Sequence, residues 1–376
     1  MALLPLLLLL LCVPGPALAA GTLSPLSPLS PLSPPVVTGA PTYAAVLSAT
    51  AGTWSTTPTT VTYQWLRDGV AVAGATGPTH VLGADDLGRR LSVRGDGADV
   101  ADDTGGSGTA TSAPTEPVAP ATNPVRREPG IRGTLRFGRT LEATPARFAT
   151  PPSRLRWQWL RGGTAIPGAT GTTYALQPVD VGTRLRVRAT GTEPGLLDAV
   201  ATSSGKAVVR HRRDVRRTVT YSVETRGRIT TSVREFATLA QQTYADARGW
   251  RSSGIAFERV ARGGSFTLVL AAAGQVPRFS SACSSTYSCR VGRFVIINQT
   301  RWLQATPPWN AAGGSLRDYR HLVLNHETGH WLGLDHAGCS RAGALAPVMM
   351  PQSKGLGGCR FNPWPTLGEA ASRSPR

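Results

Sequence analysis

Polar and apolar positions alternate with period two through the first half of the chain. Tyr63 and Trp65 fall on one face of a predicted strand and Gln64 on the other, and Trp157, Gln158 and Trp159 repeat that arrangement. Short alternating runs of this kind, broken by Gly, Pro and Thr, fill residues 36–118 and 119–208. They predict two antiparallel β-sandwiches. The two are copies of one unit. Tyr63-Gln64-Trp65-Leu66-Arg67 aligns with Trp157-Gln158-Trp159-Leu160-Arg161, and Gly74-Ala75-Thr76-Gly77 with Gly168-Ala169-Thr170-Gly171, at an offset of 94. Asp86, Gly88, Leu91 and Val93 align with Asp180, Gly182, Leu185 and Val187 at the same offset. Neither copy carries a cysteine, so tryptophan packing has to build each core.

From residue 209 the periodicity changes. Segments 218–225, 254–260, 265–271 and 293–298 read as strands. Ser232 and Glu235 form a capping box, apolar residues at 233, 236, 240, 244 and 247 share one helical face, and Gly249 stops the run. A second helix opens at Ser315, runs to about Leu332 and stops at Gly333. The expected fold class is therefore multidomain: two all-β sandwiches, which resemble the bacterial immunoglobulin-like repeats, followed by an α/β (α+β) domain over residues 209–376.

The chain ends and junctions read differently. Residues 3–12 are almost all leucine and Ala17-Leu18-Ala19 has the small residues of a cleavage site, so 1–20 is expected to be a secretory signal peptide. No Lys or Arg precedes that apolar run, which leaves a retained anchor as the alternative. Residues 21–35 repeat Leu-Ser-Pro and read as an extended spacer. The basic run 210–217 reads as a solvated linker.

Composition narrows the function classes. The 376 residues allow two to three domains, and 41% hydrophobic content supports a real core. Net charge is +18, but the arginines are scattered and no nucleic-acid motif accompanies them, so no nucleic-acid partner is expected. Beyond the first residues no apolar run is long enough to span a membrane. With the leader removed, four cysteines remain in an exported chain, which suggests two disulfides. Of the three pairings, Cys283–Cys289 and Cys339–Cys359 close the shortest loops. The expected location is secreted or attached to a bacterial cell surface.

The chemistry concentrates in the late helix. His326 and His330 stand four residues apart and project from one helical face, where two imidazoles can chelate zinc. Glu327 follows the first of them, placed to polarise a bound water rather than to ligate. Gly333 permits a sharp turn that brings His336 back as a third ligand. Three protein ligands leave the fourth position open, which is the catalytic rather than the structural arrangement.

This HExxHxxGxxH run resembles that of the metzincin zinc metalloproteases. Pro347-Val348-Met349-Met350-Pro351, downstream of His336, resembles their Met-turn, with Met349 as the floor residue and Met350 as the competing assignment. More narrowly, the zinc motif, Cys339, Gln352-Ser353-Lys354-Gly355, Cys359 and Phe361-Asn362-Pro363-Trp364-Pro365 are similar to an actinobacterial family of exported metzincin-like domains of unassigned function. The resemblance implies Zn2+ as cofactor, His326, His330 and His336 as its ligands, Glu327 as general base, and a protein or peptide substrate. It also suggests strand addition of substrate along 293–298. Pro351 stands where some metzincins place a tyrosine, so no tyrosine ligand is expected, and no cysteine-switch propeptide precedes the domain.

The function expected from these readings is a secreted zinc metalloendopeptidase, with the sandwich modules spacing it from the cell or binding cell-wall and surface components. Two rivals stand beside it: a non-catalytic adhesion protein with a structural zinc domain, and a zinc amidase acting on peptidoglycan. His321, five residues before His326, points about 140° away and is expected at the surface. The sequon at Asn298 reads as a chance match, and Trp65, Trp159, Trp309, Trp331 and Trp364 read as core.

Overall fold

The computed structural model describes residues 29–99, 106–205 and 207–373. The expected signal peptide, residues 1–20, and most of the spacer lie outside them.

Each repeat is built the same way. In the first, a three-stranded sheet holds Val37–Thr38, Val46–Ala49 and Thr79–Val81 in that order. A four-stranded sheet holds Val70–Ala71, Thr60–Arg67, Leu91–Ala98 and Ser107–Thr111. In the second repeat the same two sheets are Gly130–Arg132, Thr140–Thr144 and Thr173–Ala175, and Thr164–Ala165, Arg154–Arg161, Leu185–Thr192 and Ala199–Thr202. The duplication extends to register: Thr60 pairs with Ala98 and Arg67 with Leu91, just as Arg154 pairs with Thr192 and Arg161 with Leu185.

Period-two alternation buries one Trp in each core. Trp65 and Trp159 are fully buried, and their indole N–H groups donate to Gly77 O at 3.0 Å and Gly171 O at 2.9 Å. Each lies against an equivalent ring, His80 or Tyr174. A buried carboxylate, Asp86 or Asp180, receives an arginine from the central strand at 2.8 and 2.7 Å. A buried acid held this way by hydrogen bonds is a structural pair rather than a free charge.

Two boundaries differ from the sequence reading. The stretch read as spacer to residue 35 contributes the strand Pro31–Ser33, which pairs with Thr53–Trp54, and Leu29 is buried. The run 210–217 is exposed from Arg213 onward, as a solvated linker is, but it is bonded at points, and the second sandwich reaches as far as Val209. Val209 is buried in the second sandwich's core, Arg136 forms a 2.6 Å ion pair with Asp214, and Arg251 donates to Arg213 O at 3.0 Å. Within that run Arg210 forms an isolated β-bridge to Arg136, and residues 211–216 have no regular secondary structure.

The C-terminal domain has a five-stranded sheet in the order Ile255–Arg259, Arg217–Arg226, Phe266–Ala271, Phe294–Asn298 and Cys289–Val291. The first four run parallel and the last antiparallel. Phe266–Ala271 is buried at every position, as a parallel strand covered on both faces requires. The helices Val233–Ala245 and Leu316–Trp331 carry Ser232 and Ser315 as N-caps, whose hydroxyls accept from Glu235 N and Asp318 N. Cys283–Cys289 and Cys339–Cys359 are the disulfides, as the short-loop pairing predicts. Among the described residues no helix is long and apolar enough to cross a membrane.

Candidate metal centre

Helical spacing sets the first two histidines. His326 and His330 lie on Leu316–Trp331 with ring centroids 4.7 Å apart. The helix ends at Leu332, and Gly333 adopts a left-handed φ of 87° that only glycine takes without strain. Leu334 N returns to Gly329 O at 3.0 Å, and the reversed chain delivers His336. Its ring centroid lies 5.3 Å from that of His326 and 4.8 Å from that of His330. One ligand atom from each ring falls within 4.8 Å of the others.

Backbone carbonyls fix two of the tautomers. Nδ1 of His326 donates to Val348 O and Nδ1 of His330 to Leu334 O, both at 2.8 Å. A nitrogen facing a carbonyl must carry the hydrogen, so Nε2 of each ring keeps its lone pair. Nε2 of His330 and Nε2 of His336 approach to 3.2 Å. Burial presses His326 down to about 3, and it also lowers His330, so both rings are neutral at neutral pH. Neutral imidazoles with converging lone pairs and a carbonyl behind the other nitrogen are what a divalent cation of the zinc type takes as ligands. The donor set fits.

Glu327 is buried beside them. Burial pushes its carboxyl up to about 8, with Arg290 pulling the other way. It accepts no hydrogen bond from a described residue, and it lines a cavity of about 540 Å³ together with the three histidines, Arg290 and Met350. The adjacent Thr328 points the other way, its hydroxyl 2.9 Å from the Tyr244 hydroxyl in the core.

The turn at Pro347–Pro351 lies against the helix. Met349 is buried, and a Cβ added at Gly329 would fall 2.2 Å from its sulfur, so Gly329 is the gap that the methionine fills. Met350 instead lines the cavity and packs near the Cys339–Cys359 bridge. Gln352 and Asn362 tie the following loop together: Gln352 donates to Pro347 O and Asn362 O, and Asn362 to Ala346 O and Trp364 O.

One supporting residue escaped the sequence reading. Glu369, on the short helix Leu367–Ser372, accepts from Val348 N at 3.1 Å and Met349 N at 2.9 Å, and from the Thr366 hydroxyl at 2.8 Å. It thereby holds the segment whose Val348 carbonyl orients His326. Thr366-Leu367-Gly368-Glu369 is a capping box, and that signature was there to find.

Two expectations change, for strand 293–298 and for His321, while the chance sequon and the core tryptophans agree with the structure. Strand Phe294–Asn298 is flanked on both sides, by Phe266–Ala271 and Cys289–Val291, so it has no edge to offer a substrate. The edge belongs to Cys289–Val291, whose Cys289 and Arg290 line the cavity. His321 is buried, not exposed: its Nδ1 shares a 2.8 Å hydrogen bond with Thr243 Oγ1, and its ring lies against Trp364. Asn298 is buried with Nδ2 donating to Ser285 O, which leaves its sequon inaccessible. Trp309 and Trp364 are buried and Trp331 is partly buried, none of them on the cavity wall.

A family profile described as "Protein of unknown function (DUF3152)" matches residues 200–362, which include the whole histidine cluster. No curated protein matches the chain. Among solved structures, three N-terminal domains of the bacteriophage RB49 Highly Immunogenic Outer Capsid protein are similar at 18% identity and a TM-score of 0.23. That match covers 51% of this chain and 65% of that one. The mouse nectin-like molecule 4 ectodomain (Ig1–Ig3) is similar at 18% identity and a TM-score of 0.18, covering 48% of this chain and 66% of that one. The chain thus spans about two thirds of each of these structures. Tandem Ig repeats of Dlar match at 14% identity and a TM-score of 0.15, over 47% and 94%.

Proposed function

We propose that the C-terminal domain is a zinc-dependent endopeptidase of metzincin type. The convergence of three imidazole nitrogens within 4.8 Å, beside a buried carboxylate that stays off them, carries this reading. His326, His330 and His336 would hold the ion, and Met349 would pack beneath the helix between the first two. Bound there, zinc supplies Lewis acidity for the scissile carbonyl and a water of lowered pKa.

The chain's own residues do the rest. An extended peptide adds to the free edge of Cys289–Val291, with main-chain hydrogen bonds setting its direction. Glu327 accepts the attacking water's proton at its carboxylate and delivers it to the departing amine, so the carboxylate is regenerated each turnover. Val348 O and Leu334 O keep the imidazoles in one tautomer throughout.

The test pairs metal content with casein cleavage by the full chain. Glu327→Ala is expected to retain one zinc per chain while cleavage falls by about 10²–10⁴-fold. Full activity in that variant, or no zinc in the wild-type chain, overturns the reading. Release of fragments from purified cell wall with casein untouched would transfer the site to a peptidoglycan amidase.

A further inference from the structure

The two repeats are internal controls for each other, and they differ on one face. On the face of the paired strands Arg154–Arg161 and Leu185–Thr192 opposite Trp159, four successive cross-strand rows set Arg154 with Thr192, Arg156 with Thr190, Gln158 with Arg188, and the buried Leu160 with Arg186. Each row therefore carries one arginine, and all four arginines are exposed. Rows two residues apart lie ~7 Å apart, so the guanidinium groups form a stripe of roughly 20 Å. The first repeat holds Thr60, Thr62, Ser92 and Arg94 at the matching places, and there Arg94 is neutralised by Asp96 at 3.1 Å.

The stripe is unpaired over most of its length. Arg156 meets Asp198 at 3.3 Å, while Arg154, Arg186 and Arg188 meet no acidic side chain among the described residues. Four cations aligned on one sheet face repel one another, and among them Arg156 alone has an acidic partner among the described residues to offset this. An anion laid along the face would relieve that repulsion.

We propose that this face of the second sandwich binds a linear phosphate polymer. Guanidinium groups recognise phosphate through paired N–H donors, and a regular one-per-row spacing suits a chain with an anion in each repeat unit. Thr190, in the same rows, supplies a neutral polar group, while Gln158 Nε2 is already bonded to Trp159 O and Ile166 O and the Thr192 hydroxyl to Asp198. No aromatic side chain lies in these four rows, so the stacking platform that single-stranded nucleic acids use is missing. The occupant is accordingly a polymer without bases, such as polyphosphate or a polyol-phosphate chain.

Inorganic polyphosphate is the probe, titrated into the full chain at low and moderate salt, with oligothymidylate of equal charge beside it. Polyphosphate is expected to bind at least about tenfold tighter than oligothymidylate, with affinity falling steeply as salt rises. The triple variant Arg154→Thr, Arg156→Thr, Arg186→Ser installs residues that the sister repeat already folds with, and is expected to lose at least about tenfold in affinity. Removing three exposed arginines elsewhere on the same sandwich, Arg126→Thr, Arg132→Thr and Arg147→Thr, should cost less than about threefold. Equal losses from the two triple variants would reduce the effect to net charge and overturn the proposal. Tighter binding of oligothymidylate would overturn it in favour of nucleic acid.

Discussion

Single residues around the histidine cluster do more than their positions on a helix suggest. Gly329 faces Met349 and Trp250, where a Cβ would meet the Met349 sulfur at 2.2 Å and the Trp250 ring at 2.9 Å. Trp250 is itself fixed by a 2.9 Å bond to Asn325 O, so the clash has little room to relax. Gly329→Ala is expected to destabilise the C-terminal domain by about 1–3 kcal/mol through overpacking, despite alanine's better helix propensity. Thermal melts of the two proteins check this, and an unchanged or raised Tm would contradict it. His321 gives a second prediction. Its folded-state pKa is brought down to about 4, chiefly by burial and next by Arg317, so the native ring is neutral. Between pH 6.5 and 4 the unfolded chain binds a proton that the native chain does not. Stability is thus complete above pH 6.5 and declines as pH falls towards 4, by on the order of 3 kcal/mol from this residue. Denaturant titrations at pH 7 and 5 should show a smaller decline in His321→Gln than in the wild type, with His326 still contributing its own share.

At the scale of elements, the tryptophan-centred sandwiches offer the plainest test. Trp65 and Trp159 are fully buried and each is bonded through its indole to the loop that covers it. Trp→Ala at either position is expected to cost about 3–5 kcal/mol and to open only its own repeat to limited proteolysis. Cleavage spreading equally through both repeats would contradict that. Most of the regular elements were legible because their periodicity was long enough to be seen. The helix over 315–332 resolves as Leu316–Trp331, and strand 265–271 as Phe266–Ala271. What escaped was short or tertiary. Cys289–Val291 has three residues inside a Ser- and Cys-rich loop, too few to alternate, and only its pairing with Phe294–Asn298 makes it a strand. Pro31–Ser33 is hidden by a spacer-like composition and is defined by contact with Thr53–Trp54. His321 was misplaced for a related reason: phase on a helix tells which face holds the metal ligands, but not that the opposite face is covered too. Residues 321–329 of that helix are buried without a break.

At the scale of the whole molecule, the chain divides into two compact units, and the second sandwich falls in the same unit as the histidine domain. The repeats are alike in register and unlike in surface, so duplication has supplied one framework and left its outward side chains free to diverge. Glu369 adds a temporal meaning to the architecture. A chain grows from its N-terminus, so the three histidines are made well before the carboxylate that clamps Val348 and Met349. Until Thr366 and Glu369 emerge, Val348 N and Met349 N lack the carboxylate that accepts from them, and the loop is held by Gln352, Asn362 and the Ala337 amide. Under the peptidase reading, hydrolytic competence arrives last, once synthesis has passed the capping box, which spares the cell that makes the enzyme from a half-finished blade.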